Sequence, residues 1–222
     1  NVVEICGLNG STPASERHNG FMSVIGKYPE IKVVNKSNGD WLRNQAREKM
    51  TEALQSKIPI DLVFAQNDEM AIGAREAISA TSGIKKPILL GIDALPGADG
   101  GIQKVLNGVI DATFIYPTGG EKAIQIAVRI LNNEPYDRDN LLYTAVVDRT
   151  NARVLKLQTD QIIQHQNRIG QLNTVLNQNL AKFSTQQNLL FLSFAVLFLI
   201  TVLLILLLRL YRHKNKVNEE LK

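Results

Sequence analysis

A run of twenty uncharged residues, LLFLSFAVLFLITVLLILLL from Leu189 to Leu208, constrains the fold of this chain more than any other feature. A helix rises about 1.5 Å per residue, so about twenty residues cover the roughly 30 Å hydrocarbon core of a bilayer. The alternative, a buried helix of a soluble protein, rarely stays apolar around its whole circumference over such a length. The run therefore predicts one transmembrane helix, which we place at residues 188–210.

The charges beside this run indicate its orientation. Four basic residues follow it closely, whereas the eight residues before it hold a single one, Lys182; the four are Arg209, Arg212, Lys214 and Lys216. Basic residues are enriched on the cytoplasmic side of a membrane span. We therefore expect the part before the span to lie outside the cytoplasm and residues 211–222 to begin a cytoplasmic juxtamembrane helix. The chain opens NVVEICG, with neither an initiator Met nor a signal peptide, and we interpret it as a fragment of a longer protein.

Before the span, β-branched runs alternate with longer helical patterns. The strands are predicted at VVEIC, IKVVNK, IDLVFAQ, PILLGID and IDATFIY, with a last extended stretch LLYTAVVD that ends at Asp148. The helices are predicted at about residues 14–25, 42–55, 69–80, 101–107 and 121–131. Strands that alternate with helices indicate βαβ units, and near-continuous apolar strands suit a sheet covered on both faces. Residues 1–148 are thus predicted to form an α/β domain, a three-layer parallel sheet.

Residues 149–187 have a different character. Their apolar residues recur at a seven-residue step, at Leu155, Ile162, Ile169, Leu176 and Phe183. Such a stripe is typical of a helix that pairs with a partner helix in a coiled coil. The companion seam is poor, because Leu172 and Leu180 are apolar whereas His165, Gln166, Asn173 and Asn179 are polar. We expect a helical stalk that pairs in a homodimer; the alternative is a lone polar helix that extends the membrane span.

Several classes of function are not supported by the sequence. The net charge of +4 owes much to the basic cluster after the span, and no basic stripe interleaved with aromatics predicts a nucleic acid partner. His18, His165 and His213 are scattered, and Cys6, the only cysteine, is most simply a small buried side chain. The first turn, GLNGST, has neither the Rossmann nor the Walker spacing. The sequence therefore predicts neither an enzyme nor a bound cofactor or metal.

Polar side chains follow the predicted strands, where ligands bind in an open parallel sheet. Asn67 follows IDLVFAQ, Asp93 ends PILLGID, Trp41 lies in the loop after NKSNGD, and Arg17 lies on the first helix. Arginine donates, aspartate accepts and asparagine does both, which matches vicinal hydroxyl groups. An indole face can cover the C–H side of a sugar ring. Because Arg17 and Asp93 would offset each other's charge, this set indicates a neutral polyhydroxylated ligand.

Each of these residues also has a purely structural interpretation. Asn67 or Asp68 would cap the helix that begins near Glu69, Trp41 would belong to the core, and Arg17 would be solvated. The sequence alone leaves both sets of interpretations open.

Four segments carry a resemblance to a known family. ASERHNGF, FAQNDEMAIGAREAI, GIDALP and NGVIDATF resemble the ribose-type periplasmic sugar-binding proteins, in the same order and with similar spacing from Val2 to about Glu134. The resemblance covers the C-terminal half of that bilobed fold, so it implies that residues 1–148 form the C-terminal lobe of a type I periplasmic binding fold. An N-terminal lobe would precede Asn1.

By this resemblance, four residues are implied to contact a sugar: Arg17, Trp41, Asn67 and Asp93. The aromatic residue of the family is usually Phe, and Trp41 keeps a stacking face. The polar contact that the family places just before the Pro of the next strand is replaced here by Ile115 and Tyr116. This departure leaves the identity of the sugar open.

The order of sugar-binding lobe, stalk, single span and cytoplasmic helix resembles the sensor half of bacterial membrane-bound histidine kinases, including hybrid two-component regulators of carbohydrate use. The resemblance implies a single-pass protein of the bacterial inner membrane with a periplasmic N-terminal domain that senses a monosaccharide such as ribose or fructose. The alternative is a lobe that has lost its ligand and serves as a dimerisation or partner-docking module. An enzyme is less well supported than either.

Overall fold

A computed structural model describes residues 1–220 of the chain, with the side chains of residues 213 and 216–220 outside the described part. The chain divides into two compact units. The first, Asn1–Ile162, contains a sheet and its helices. The second begins at Ile163 and is helical throughout its described residues.

Six strands and five helices alternate in the first unit, which ends within a sixth helix. The strands are β1 (Val2–Cys6), β2 (Val33–Asn38), β3 (Leu62–Ala65), β4 (Ile88–Leu90), β5 (Ala112–Phe114) and β6 (Val146–Asp148). The helices are α1 (Thr12–Ile25), α2 (Arg43–Gln55), α3 (Asp68–Ala80), α4 (Gly101–Leu106), α5 (Gly120–Leu131) and α6 (Ala152–Glu220). The first five helices begin and end within two residues of their predicted bounds. β4, β5 and β6, of three residues each, are much shorter than the apolar runs that predicted them.

The sheet has the strand order β2-β1-β3-β4-β5-β6. The first five strands run parallel, as their helical connections require. β6 pairs antiparallel with β5, with Val147 opposite Thr113. The five strands predicted before α5 thus form the expected parallel sheet, and β6 adds one antiparallel strand beside β5. The result is a mixed α/β sheet.

The two faces of the sheet are covered by different helices. Val3 and Ile5 of β1 share a buried cluster with Met50 of α2 and Met70 of α3. Alternate strand residues point to opposite faces, so Glu4 and Cys6 point the other way. On that second face α1 covers the strands, as shown by the stacked rings of Phe21 and Phe64, whose centroids are 4.7 Å apart. The domain thus has the three layers expected from its sequence.

The junction between β6 and α6 is closely hydrogen-bonded. The Asn151 side chain accepts from the Asp148 N–H at 3.0 Å and donates to the Val146 carbonyl at 2.8 Å. Asp148 Oδ1 accepts from the N–H of Thr150 at 2.8 Å, and the hydrogen bonds from Thr150 lower the pKa of this carboxyl. Ala152 is fully buried, so the first turn of α6 belongs to the core of the first unit.

α6 contains the predicted span and the predicted stalk from Ala152 onward, whereas residues 149–151 form a turn before the helix. It is long enough and, in its apolar part, hydrophobic enough to cross a membrane. Leu155, the first member of the seven-residue stripe, packs against the core of the domain, whereas Ile169 and Leu176 are more than half exposed. The juxtamembrane helix predicted at 211–222 is helical as far as Glu220, and Leu221 and Lys222 lie outside the described residues.

Candidate functional site

The four residues singled out from the sequence lie on different elements, at the end of the sheet where the parallel strands have their carboxyl ends. We call this end the carboxyl edge. Arg17 lies on α1 and Trp41 in the loop between β2 and α2. Asn67 follows β3 as the N-cap of α3, and Asp93 follows β4. These loops follow the carboxyl ends of parallel strands, where open α/β sheets bind ligands.

Arg17 reaches the other parts of this region through its guanidinium group. Its Nη1 donates to the backbone carbonyl of Gln66, and its Nη2 lies 3.5 Å from Asp93 Oδ1. Its Cζ is 5.2 Å from the centroid of the Trp41 ring and 4.6 Å from that of Tyr116. A guanidinium at these distances is attracted to the faces of both rings. The interpretation of Arg17 as a solvated side chain is therefore wrong.

Trp41 is held in an unusual backbone conformation. Its φ is +67°, and that of Asp40 before it is +52°, both in the left-handed region that non-glycine residues rarely adopt. The Asn67 Nδ2 donates to the Trp41 carbonyl at 3.2 Å and so fixes this turn. The indole covers Gly7, because a Cβ added there would lie 2.1 Å from its ring. Trp41 also packs against the edge of the core, as its structural interpretation predicted.

Asn67 has a structural role in addition to any contact with a ligand. Its Oδ1 accepts from the Met70 N–H at 2.8 Å, which is the N-cap bond of α3. The capping interpretation is therefore confirmed for Asn67. Its two described hydrogen bonds join α3 to the Trp41 loop, so Asn67 sets the position of the indole.

Asp93 combines partial burial with backbone strain. Its φ is +121°, and its N–H donates to the Phe114 carbonyl at 2.9 Å. Burial raises the pKa of its carboxyl, and the neighbouring Arg17 guanidinium opposes this shift. Strain of this kind persists where the surrounding structure over-determines the conformation, often at a ligand site. Arg17 and Asp93 form a pair of opposite charges, as the sequence predicted.

Asp68 is not a capping residue but a buried link between three elements. Its carboxylate accepts from Thr113 Oγ1 at 2.6 Å and from the Ala94 N–H at 2.9 Å. Burial raises the pKa of Asp68 to about 7, against the effect of these two hydrogen bonds. A Cβ at Gly101 would lie 1.8 Å from Asp68 Oδ2, so the approach of α4 to this carboxylate requires glycine.

Two residues at this edge were not selected from the sequence. Tyr116 appeared there only as a departure from the family pattern, yet its ring covers Arg17. Gln66 is fully buried; its side chain accepts from the Gly7 N–H at 2.9 Å and donates to Glu4 Oε1 at 3.0 Å. In the sequence, Gln66 could have been noticed as a side-chain amide at the end of an otherwise apolar strand.

A second polar cluster lies below this edge, on the face of the sheet that α1 covers. It contains Glu4, Cys6 and His18, for which the sequence predicted no common site. Burial, with a smaller contribution from Glu4, raises the pKa of the Cys6 thiol to about 12. The signal for this cluster was a glutamate inside the buried strand VVEIC, which needs a polar partner.

Comparison with known proteins identifies the fold. Residues 1–135 match the periplasmic binding protein domain family. The chain resembles the solved structure of a fructose binding periplasmic domain of a hybrid two-component system, with a TM-score of 0.73 and 48% identity, over 78% of this chain and 58% of that one. It is 38% identical over 116 residues to a xylitol-binding protein of Mycolicibacterium smegmatis, which is 52% of this chain and 31% of that protein.

The chain is also 32% identical over 135 residues to the ribose import binding protein of Haemophilus influenzae, which is 60% of this chain and 44% of that protein. It spans half or less of the length of each of these curated relatives. The family model covers more than half of the chain and includes all four of the site residues predicted from the sequence. The chain therefore belongs to the periplasmic binding protein domain family.

Proposed function

We propose that this chain is the sugar-binding and membrane-spanning part of a monosaccharide sensor. The observation that carries the proposal is the position of Arg17, held between the Asp93 carboxylate and the rings of Trp41 and Tyr116 at the carboxyl edge of the sheet. Arginine, aspartate and aromatic faces together recognise hydroxyl groups and the C–H face of a sugar. Similarity to the fructose binding domain of a hybrid two-component system supports the same class of ligand.

The chemistry of the site favours a neutral sugar. Arg17 and Asp93 offset each other's charge, so an anionic ligand would have to compete with Asp93 for the guanidinium. In the proposed complex, Arg17 donates to hydroxyl oxygens, Asp93 accepts from hydroxyl protons, and Trp41 covers an apolar face of the ring. Asn67 supplies an amide beside them. We propose a ketohexose such as fructose as the ligand, with a pentose as the alternative within the same class.

A second lobe, outside these 222 residues, would complete the site. The solved fructose binding domain extends well beyond the part that this chain covers, which supports a bilobed arrangement in the whole protein. In this proposal the sugar binds between the lobes and favours their closed form. It drives closure only through its higher affinity for that form.

The proposed signal passes from the domain through α6. The hydrogen bonds among Val146, Asp148 and Asn151 join the last strand to the start of the helix, so a displacement of β6 would displace the first turn of α6. Residues 149–187 would act as a stalk that pairs in a homodimer. Residues 188–210 would span the bacterial inner membrane, with the domain in the periplasm and the tail leading to a cytoplasmic kinase.

Isothermal titration calorimetry of the full-length native protein in nanodiscs, with a panel of monosaccharides, tests this proposal. We expect one sugar to bind, and Arg17→Ala and Asp93→Ala to abolish the heat while circular dichroism shows a folded domain. Arg47→Ala, which removes an exposed arginine of α2, is the matched control and should bind normally. If no sugar binds to the folded protein, the ligand-free docking module becomes the better interpretation.

A further inference from the structure

The cluster of Glu4, Cys6 and His18 brings together three kinds of metal-binding atom. Glu4 and Cys6 are two residues apart in β1, so both side chains point to the face that α1 covers, and His18 reaches them from α1. A carboxylate oxygen, the thiol sulfur and a ring nitrogen all lie within 4.8 Å of one another. Glu4 is fully buried, while the His18 side chain is 26% exposed and opens the cluster to solvent.

Hydrogen bonds connect the members of the cluster to one another and to Lys36. His18 Nδ1 lies 2.7 Å from Glu4 Oε2, and Lys36 Nζ lies 3.0 Å from His18 Nε2. A lysine ammonium group can only donate, so His18 Nε2 accepts and the proton of the neutral ring lies on Nδ1, where it donates to Glu4. Glu4 thus accepts from His18 on one oxygen and from Gln66 on the other.

We propose that Glu4, Cys6 and His18 bind a divalent transition metal ion of the zinc class. Sulfur, imidazole nitrogen and carboxylate oxygen are the ligands that zinc takes in proteins. A thiolate and a carboxylate together balance the charge of the ion. Three protein ligands leave a fourth position for a small ligand or water, and Cys6 and His18 line a cleft of about 290 Å³ from which it could enter.

Binding requires small movements only. Ligand atoms that each lie about 2.0–2.3 Å from one tetrahedral ion are roughly 3.3–3.8 Å apart, so a pair that is now 4.8 Å apart would approach by about 1.0–1.5 Å. Lys36 is exposed and can turn into solvent. The His18 proton then moves from Nδ1 to Nε2, which frees Nδ1 for the ion. The Cys6 thiol proton leaves to solvent, so one proton is released for each ion bound.

The site is distinct from the proposed sugar site but adjoins it. His18 follows Arg17 on α1, and Gln66 contacts both regions: its side chain donates to Glu4 and its carbonyl accepts from Arg17. The inference does not rest on sugar binding, and its test uses no sugar.

Cobalt substitution gives a direct test on the full 222-residue chain in detergent micelles. The chain is incubated with excess Co²⁺ or Zn²⁺ and desalted, and the retained metal is measured by elemental analysis. We expect one ion per chain, and for Co²⁺ a near-ultraviolet thiolate-to-cobalt charge-transfer band. Cys6→Ser should remove this band, and His18→Ala should weaken Zn²⁺ binding at least about tenfold. Lys36→Met should strengthen binding, because it removes the competing ammonium group.

His165→Ala is the matched control, since this histidine lies on an exposed part of α6 and its loss should leave the stoichiometry at one ion. Circular dichroism establishes that each variant is folded. The wild-type chain decides the question even where a variant fails to fold: retention of no metal, or of cobalt without a thiolate band, overturns the proposal. Equal retention by folded Cys6→Ser and His18→Ala variants overturns it as well.

Discussion

The guanidinium carbon of Arg17 lies 4.6 Å from the centroid of the Tyr116 ring, at the position where related sugar-binding proteins are expected to supply a polar contact. Tyr116 presents an aromatic face to the arginine, and we propose that this face takes the place of a direct polar contact with the sugar. In the proposed complex this ring fixes the direction of the Arg17 donors.

The contribution of Tyr116 can be measured by two substitutions. Cation–π contacts are worth roughly 0.5–2 kcal/mol, so Tyr116→Ala should weaken sugar binding by roughly 2-fold to 30-fold. Tyr116→Phe keeps the ring face and should bind almost as well as the wild type. Calorimetry on the full-length protein checks both. Equal losses for the two variants would show that the hydroxyl group, and not the ring, matters.

Two substitutions of Asn67 can separate its capping of α3 from its hydrogen bond to the Trp41 carbonyl. Asn67→Asp keeps an oxygen that accepts from the Met70 N–H but loses the amide that donates to the Trp41 carbonyl. We expect it to keep most of the stability of the domain and to lose sugar affinity. Asn67→Ala should also lower the free energy of unfolding by about 1 kcal/mol. Urea unfolding and calorimetry together measure the two effects, and unchanged affinity in Asn67→Asp would contradict the positioning role.

Asp68 predicts a pH dependence of stability. Its folded-state pKa is about 7 against an ordinary value of 3.8, so between these values the folded protein holds a proton that the unfolded chain has released. Its contribution to stability is therefore greatest at low pH and falls as the pH rises from about 4 to about 7, by up to about 1.4 kcal/mol per pH unit. Urea unfolding across this range measures the slope. Asp68→Asn should remove the part of the slope that Asp68 contributes. A slope that stays unchanged in this variant would contradict the raised pKa of Asp68.

Two glycines of the same domain should respond oppositely to alanine. A Cβ at Gly101 would meet Asp68 Oδ2, so Gly101→Ala should destabilise the domain by displacing α4 or the carboxylate. Gly20 lies within α1 with nothing within 4 Å of an added Cβ, so Gly20→Ala should stabilise it by about 0.5–1 kcal/mol. Thermal unfolding of the two variants provides the comparison. If Gly101→Ala left the unfolding temperature unchanged, α4 would be able to move away from Asp68 at little cost in free energy.

The stalk pairing can be tested by cysteine crosslinking in membranes. Cysteines that replace the exposed apolar residues of the stripe should crosslink efficiently between two chains; these residues are Ile169, Leu176 and Phe183. Cysteines two positions later should crosslink poorly, at Gln171, Gln178 and Thr185. The native Cys6 is buried and should not contribute. Crosslinks of equal yield at all six positions would contradict a specific seam.

Local patterns predicted the helices and the first strands closely, because amphipathic periods and turn residues are encoded nearby in the chain. They could not predict the direction of β6, since pairing with β5 depends on the path that the chain takes after α5. LLYTAVVD supplied only three strand residues, Val146–Asp148, although the whole run looked extended.

The candidate site was predictable in part. Strand ends in a parallel sheet must share one edge, so Asn67 and Asp93 could be placed near Arg17 from the sequence. The pairing of Arg17 with Tyr116, and of His18 with Glu4, depends on how α1 packs over the sheet. That packing is a tertiary property that no spacing along the chain reveals.

Gln66 contacts both polar regions, the one around Arg17 and the one that contains Glu4, Cys6 and His18. The substitutions that this position tolerates are therefore limited. Gln66→Glu would place a second carboxylate beside the buried Glu4, and Gln66→Leu would leave the Gly7 N–H without its acceptor. Either substitution changes the contacts of Glu4 and Gly7, whereas the carbonyl that accepts from Arg17 belongs to the backbone and is present with any side chain. In the two proposals, ligand preference changes through Arg17 and His18, and Gln66 is kept between them.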